Sequence, residues 1–285
     1  MLPISCQLRG RSFLNILIPL ILFLILFSPT YSPLFERFTA RDSYYSHGFL
    51  IPFVSLYLVW RKRQLLKTIP LKPQPLGGFI LAGGVLLHLV STFLKINFIS
   101  YMAIPIVLLG TSLYLGGKRL TKELLFPIAF LVFMLPLPKV LIIGIAFKMK
   151  LLATDASTFI VNRLGIEAKG VGSTIYYPGG HLLVGDPCSG LRSLITFLAL
   201  GALFTQFVQA SIWRKNLLFI SVIPIALLSN LVRITIMVLV GYVYGQKAVS
   251  GFLHDFSGIM VFVLGFIGLV MASKILRCPL EIKTI

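Results

Sequence analysis

The sequence is poor in charge: Asp, Glu, Lys and Arg make up 12% of it, where a soluble domain carries roughly a quarter. Set against 57% hydrophobic residues, that scarcity excludes an ordinary soluble domain and puts the chain in lipid. Cysteine is scarce as well. Cys6, Cys188 and Cys278 are too far apart for metal-ligand spacing or a paired disulfide framework, so neither a metal nor a cofactor is expected. Internal repeats and low-complexity tracts are also missing. Residues 1–285 are therefore expected to form a single integral membrane domain.

What charge there is has one sign, 26 Lys and Arg against 8 Asp and Glu, for a net +18. A nucleic-acid site would gather those cations on one soluble surface. Here they fall between apolar runs, so no nucleic-acid partner is expected and the charge is read as topology.

A bilayer core of about 30 Å takes about 20 apolar residues in a helix, which gives about eight candidate spans. They cover Phe13 to Phe27, Gly48 to Trp60, Leu76 to Leu94, Phe98 to Leu115, Leu124 to Leu137, Leu191 to Val208, Leu217 to Tyr244 and Phe256 to Ala272. The second and fifth are short and contain or end in proline. Basic clusters at Arg9/Arg11, Arg61–Lys67, Lys118–Lys122, Arg214/Lys215 and Lys274/Arg277 all fall on one side of an even number of spans, which the positive-inside rule makes cytoplasmic. Both termini are then inside. SPTYSP after the first run lacks a small-residue cleavage pattern, so that run is expected to stay as a span.

The long stretch from Lys139 to Asp186 lies between outward ends. Its first half mixes apolar residues with Lys139, Lys148, Lys150, Asp155 and Arg163, which suits a helix lying flat at the interface. Its second half carries STIYY and HLLVG around a PGG turn, the pattern of a small β-hairpin. The expected fold is thus an all-α polytopic membrane protein, with an outer-face interfacial helix and a small β-hairpin before the sixth span.

Depth then groups three reactive residues. Cys188 just precedes the sixth span and His254 just precedes the eighth. Arg233 lies 17 residues beyond Asn216; at 1.5 Å per residue it stands about 25 Å up a core of about 30 Å. All three reach the outer leaflet. An arginine inside a span is costly and usually faces protein or a water-filled cavity. A helix N-terminus and a nearby cation both favour thiolate at Cys188. His254 can take the thiol proton and return it to a leaving amine, and Arg233 can stabilise an oxyanion. These are the parts of an acyl-transfer site.

GDPCSGLRSLITFLALGALF, LLSNLVRITIMVLVGYVYG, GFLHDFSGIMVFVLGF and YYSHGFLIPFVSLYLVWRKR together resemble the exosortase and archaeosortase family over roughly Tyr44 to Met271, with the motif-bearing half at about 166–272. The resemblance implies a bacterial-type cysteine transpeptidase of the PEP-CTERM sorting system, with Cys188, Arg233 and His254 as its catalytic set. It implies exported protein substrates with a C-terminal motif, a transmembrane helix and a basic tail, the motif typically containing Pro-Glu-Pro. It also implies a cytoplasmic (inner) membrane location with the site on the outer face, membrane lipid around it, and an acceptor nucleophile that the sequence does not reveal. Asp186-Pro187 stands where many bacterial members carry Glu-Ala.

Other residues have two readings. Arg192, one turn beyond Cys188, suits a substrate carboxylate or a helix-positioning salt bridge with Asp186 or Asp255. His47 is an interfacial anchor or part of a substrate groove. Asn230, three residues before Arg233 on the same face, is read as orienting the guanidinium. His88 reads as a packed, hydrogen-bonded helix residue, and Cys6 and Cys278 as packing residues. The rival to an enzyme is a transporter or assembly factor for exported polysaccharide or its lipid carrier, with Arg233 binding phosphate; it predicts that the thiol at 188 is dispensable.

Overall fold

Proline, glycine and the need to satisfy backbone carbonyls decide where the helices begin, bend and stop. A computed structural model describes residues 17–40, 43–249 and 252–279, with the backbone alone for 252–255. Cys6, Arg9, Arg11 and the start of the first apolar run lie outside the described residues. In chain order the helices are α1 (Leu17–Leu26), α2 (Ser28–Thr39), α3 (Ile51–Arg61), α4 (Arg63–Thr68), α5 (Pro75–Phe93), α6 (Asn97–Phe130), α7 (Lys139–Arg163), α8 (Leu191–Phe204), α9 (Ile212–Tyr244), α10 (Gln246–Val249) and α11 (Phe252–Ile275). Two compact units result, one of Met1–Ala40 with Ser46–Pro136 and one of Arg41–Tyr45 with Leu137–Ile285.

In the first unit, α1 and α2 meet at a bend of 67°. Pro29 has no N–H to give the Ile25 carbonyl, which takes the Ser28 hydroxyl instead at 2.8 Å. The Thr30 N–H is diverted to Phe27 at 2.9 Å, so the Leu26 carbonyl is left over. His88 on α5 supplies its donor, Nε2 to Leu26 O at 2.9 Å. A carbonyl only accepts, so Nε2 carries the proton and Nδ1 accepts from the Ser100 hydroxyl at 3.0 Å. Ser100 in turn accepts from Thr30 at 2.9 Å. The Phe27 ring packs on the imidazole with centroids 4.2 Å apart.

The helix α6 is interrupted at Gly117, where φ is 81° and ψ is −179°. The Lys72 carbonyl lies against its Cα, where a side chain would sit, and the Lys72 N–H donates to Gly116 O at 3.2 Å. Glycine alone fits both the angle and the approach. The break falls between the fourth and fifth apolar runs of the sequence.

The second unit carries a three-stranded antiparallel sheet of β1 (Lys169–Val171), β2 (Thr174–Tyr177) and β3 (Gly180–Leu183), in that order. In the β2–β3 hairpin Tyr177 pairs with Gly180 and Ile175 with Leu182; β1 is a third strand that the alternation did not reveal. Ile175, Tyr177 and Leu182 turn one face of the sheet onto Val161 of α7 and Ile234, Met237 and Val238 of α9, a core that also contains Cys188. A second core joins α8, α9 and α11 through Phe197, Phe204, Leu218, Val222, Val261 and Leu269.

Among the described residues four helical stretches are long and apolar enough to cross a membrane: Pro75–Phe93, Asn97–Met134, Ile212–Tyr244 and Phe256–Ile275; a fifth exists if the bent α1–α2 pair is one span. The second apolar run yields only the 11 residues of α3, and the sixth only the 14 of α8, both short of the roughly 20 a straight crossing takes. The fourth and fifth runs share α6.

Candidate active site

The motif GDPCSGLRS folds as a 3-10 turn, Asp186–Cys188, leading into α8. Gly190 caps that helix at φ 78°, in the left-handed region that glycine enters at no steric cost. A Cβ there would also stand 3.1 Å from Asn230 Cγ, so α9 approaches the motif closely because residue 190 has no side chain. Inside the turn, Cys188 N–H donates to Gly185 O at 3.0 Å and the Ser189 hydroxyl to Asp186 O at 2.8 Å.

From α9 two side chains grip this loop. Asn230 Nδ2 donates to the carbonyl of Cys188 at 3.0 Å, and Arg233 Nη1 to the carbonyl of Pro187 at 3.1 Å. Arg233 Nε donates to Ser257 Oγ on α11 at 2.8 Å. All are deep: Cys188 is 3% exposed, Asn230 3% and Arg233 6%. Asn230 therefore holds the backbone of the cysteine, whereas the sequence had suggested that it orients the guanidinium. Its Oδ1 is buried with no donor among the described residues.

Burial pushes the Cys188 thiol up from its ordinary value, opposed by the charges of Arg233 and then Arg192. Cys188 lies in the turn ahead of the helix cap, in an apolar core, and desolvation of the anion outweighs both cations there. The direction of this shift is opposite to the one expected on sequence grounds.

Around this centre Asp186 pairs with Lys150 of α7 at 2.7 Å. The salt bridge considered for Arg192 with Asp186 is thus made by a different cation, while the Arg192 charge acts on Cys188 and on Tyr44. The Tyr44 side chain lies close to those of Ser189 and Asp186, and burial followed by the Asp186 charge pushes its phenol up. Tyr45 fixes that segment, being buried and accepting the Leu137 N–H at 3.1 Å. Sequence reasoning missed Tyr44, Lys150 and Ser257. The signal for Lys150 was an opposite charge to Asp186 in a charge-poor chain, and for Tyr44 its place beside the SHGF motif.

His254 falls in the first turn of α11, three positions before Ser257; its side chain lies outside the described residues. His47 lies in the turn Ser46–Phe49 of the first unit, its imidazole lowered by burial against an opposing bond to the Phe133 backbone. Among the described residues no group of three or more His, Cys, Asp or Glu is placed to hold a metal.

Apolar helices of spanning length and a polar, buried loop held from one of them define a multi-pass, predominantly helical membrane protein. The chain belongs to the transmembrane exosortase family: the model for Transmembrane exosortase (Exosortase_EpsH) matches residues 39–271. No curated protein and no solved structure matches the chain.

Proposed function

We propose that the chain is a membrane-embedded cysteine transpeptidase or endopeptidase that cuts the C-terminal sorting signal of exported proteins at the outer face of the cytoplasmic membrane. Family membership supports sorting-signal processing. The observation that carries the residue assignment is the grip of α9 on the Cys188 loop through Asn230 and Arg233, with the Arg233 charge acting on the thiol.

In this reading His254 takes the thiol proton as Cys188 Sγ attacks the scissile carbonyl. The carbonyl oxygen becomes an oxyanion, which the Arg233 guanidinium stabilises. Collapse breaks the C–N bond, the amine leaves with the proton returned by His254, and a thioester remains on Cys188. An amine acceptor or water attacks that thioester and regenerates the thiol. Asn230 Oδ1 offers an acceptor to a substrate N–H, Arg192 a cation to a substrate carboxylate, and His47 is the remaining candidate for substrate contact. Because Cys188 is 3% exposed, the scissile bond reaches it only as neighbouring side chains move aside.

The test is the mass of a tagged substrate carrying the motif, helix and basic tail, in cells expressing wild type, Cys188→Ala or Cys188→Ser at matched levels. Shortening by wild type alone is expected, with a loss of about a thousandfold or more in the variants. Equal processing by the variants makes the cysteine structural and returns the protein to the class of transporters and assembly factors.

A further inference from the structure

The polar chain at the α1–α2 break ends at a cavity. Thr30, whose hydroxyl closes the run from Leu26 O through His88 and Ser100, lines a space of about 310 Å³ with Thr92, Lys95, Asn97 and Tyr101. All of it lies within the first unit.

Its wall supplies donors. Lys95 makes no ion pair among the described residues. Asn97 is the first residue of α6, whose opening N–H groups have no carbonyl within the helix and favour negative charge. Tyr101 is 3% exposed with no described hydrogen bond to its hydroxyl, and lies within reach of the charges of Arg37 and Glu36. Among the residues that line the cavity, Lys95 alone carries a charged side chain.

Lys95 also holds φ at 56°. It occupies the position just past α5 where Ile96 N–H reaches back to Ser91 O at 2.8 Å, a helix end that glycine usually serves. Arg277 ends α11 in the same way, at φ 52°, so the conformation by itself is a helix-closing device. Lys95 lines the cavity, beside Asn97 and Tyr101.

Thr30 differs from its neighbours. With Nε2 of His88 protonated and Nδ1 accepting, Ser100 must donate to the ring and Thr30 to Ser100. Thr30 therefore presents lone pairs, and a ligand that satisfies the whole wall needs anionic oxygens for Lys95, Asn97 and Tyr101 and a hydroxyl for Thr30. We propose that this cavity binds a hydroxyl-bearing phosphate, as a lipid headgroup or as the free anion. The proposal stands apart from the thiol chemistry, and its readout is binding.

Full-length protein reconstituted in phosphatidylcholine is titrated with phosphatidylglycerol, or with inorganic phosphate, and the midpoint of thermal unfolding is followed. Wild type and Lys95→Arg are expected to be stabilised. Lys95→Gly suits the backbone angle and keeps the fold, but needs roughly tenfold to a hundredfold more of the same probe for an equal shift, the worth of one charge-assisted contact. A response to phosphatidylglycerol alone identifies a lipid headgroup, and an equal response to phosphate identifies the free anion. A Lys95→Gly protein that responds as wild type does, or a wild type indifferent to both probes, overturns the proposal.

Discussion

The α1–α2 break and the Cys188 loop both hold an interrupted backbone with buried polar side chains, but the two networks end differently. At the break, the Leu26 carbonyl, both nitrogens of His88 and the Ser100 hydroxyl all have partners. At the loop, the carbonyls of Pro187 and Cys188 are taken by Arg233 and Asn230, yet Asn230 Oδ1 is buried without a donor among the described residues and burial pushes the thiol up from its ordinary value. A closed network stabilises the fold, whereas an orphan buried acceptor costs stability until a donor reaches it, as a substrate N–H would in the proposed function.

The largest expected effect tests the loop. Arg233→Met removes the larger of the two cationic influences that favour thiolate at Cys188, so the thiol should titrate still higher and be less ionised at neutral pH. Alkylation of the Cys188 peptide, followed by mass spectrometry against pH, should show its midpoint displaced upward. Processing should fall by about 10²–10³, the usual cost of losing one oxyanion donor; an unmoved midpoint separates Arg233 from the thiol. Next comes the break: His88→Leu strands the Leu26 carbonyl, and thermal unfolding should register a loss of about 1–3 kcal/mol while processing per folded molecule is unchanged. A loss of processing there would erase the contrast between the two networks.

Gly190→Ala sharpens the comparison from the backbone side. The left-handed angle costs about 1–2 kcal/mol for any other residue, and the added methyl displaces Asn230, so stability and processing should fall together. The smallest effect is expected from Lys150→Met. Its partner Asp186 has 60% of its side-chain surface exposed, and such pairs contribute about 0–1 kcal/mol, so denaturation should change within that range.

Sequence legibility followed the range of the interactions. Hydropathy located α5, α9 and α11, and alternation located the β2–β3 hairpin, because each pattern is set by near neighbours. The number of spans was less legible: α3 and α8 are shorter than a straight crossing takes, while the break at Gly117 falls between the fourth and fifth apolar runs. For the site, helical spacing put Asn230 and Arg233 on one face, and the structure brings both to Cys188. That spacing is silent on what they touch: Asn230 reaches a backbone carbonyl, and Arg233 reaches Ser257 on another helix. Tyr44 and Lys150 meet Asp186 from distant parts of the chain, which no local pattern records.

The short Arg41–Tyr45 segment sets an order on biosynthesis. Tyr45 leaves the ribosome 92 residues ahead of the Leu137 N–H that its hydroxyl accepts, an interval of about 5–20 s at ordinary elongation rates of about 5–20 residues per second. Throughout that wait the chain between them, the Ser46–Pro136 part of the first unit, is being made. The wall that Tyr44 contributes beside Ser189 can therefore be assembled only late in synthesis, and a polypeptide released before the GDPCSG segment carries Tyr44 without Asp186 and Ser189 beside it.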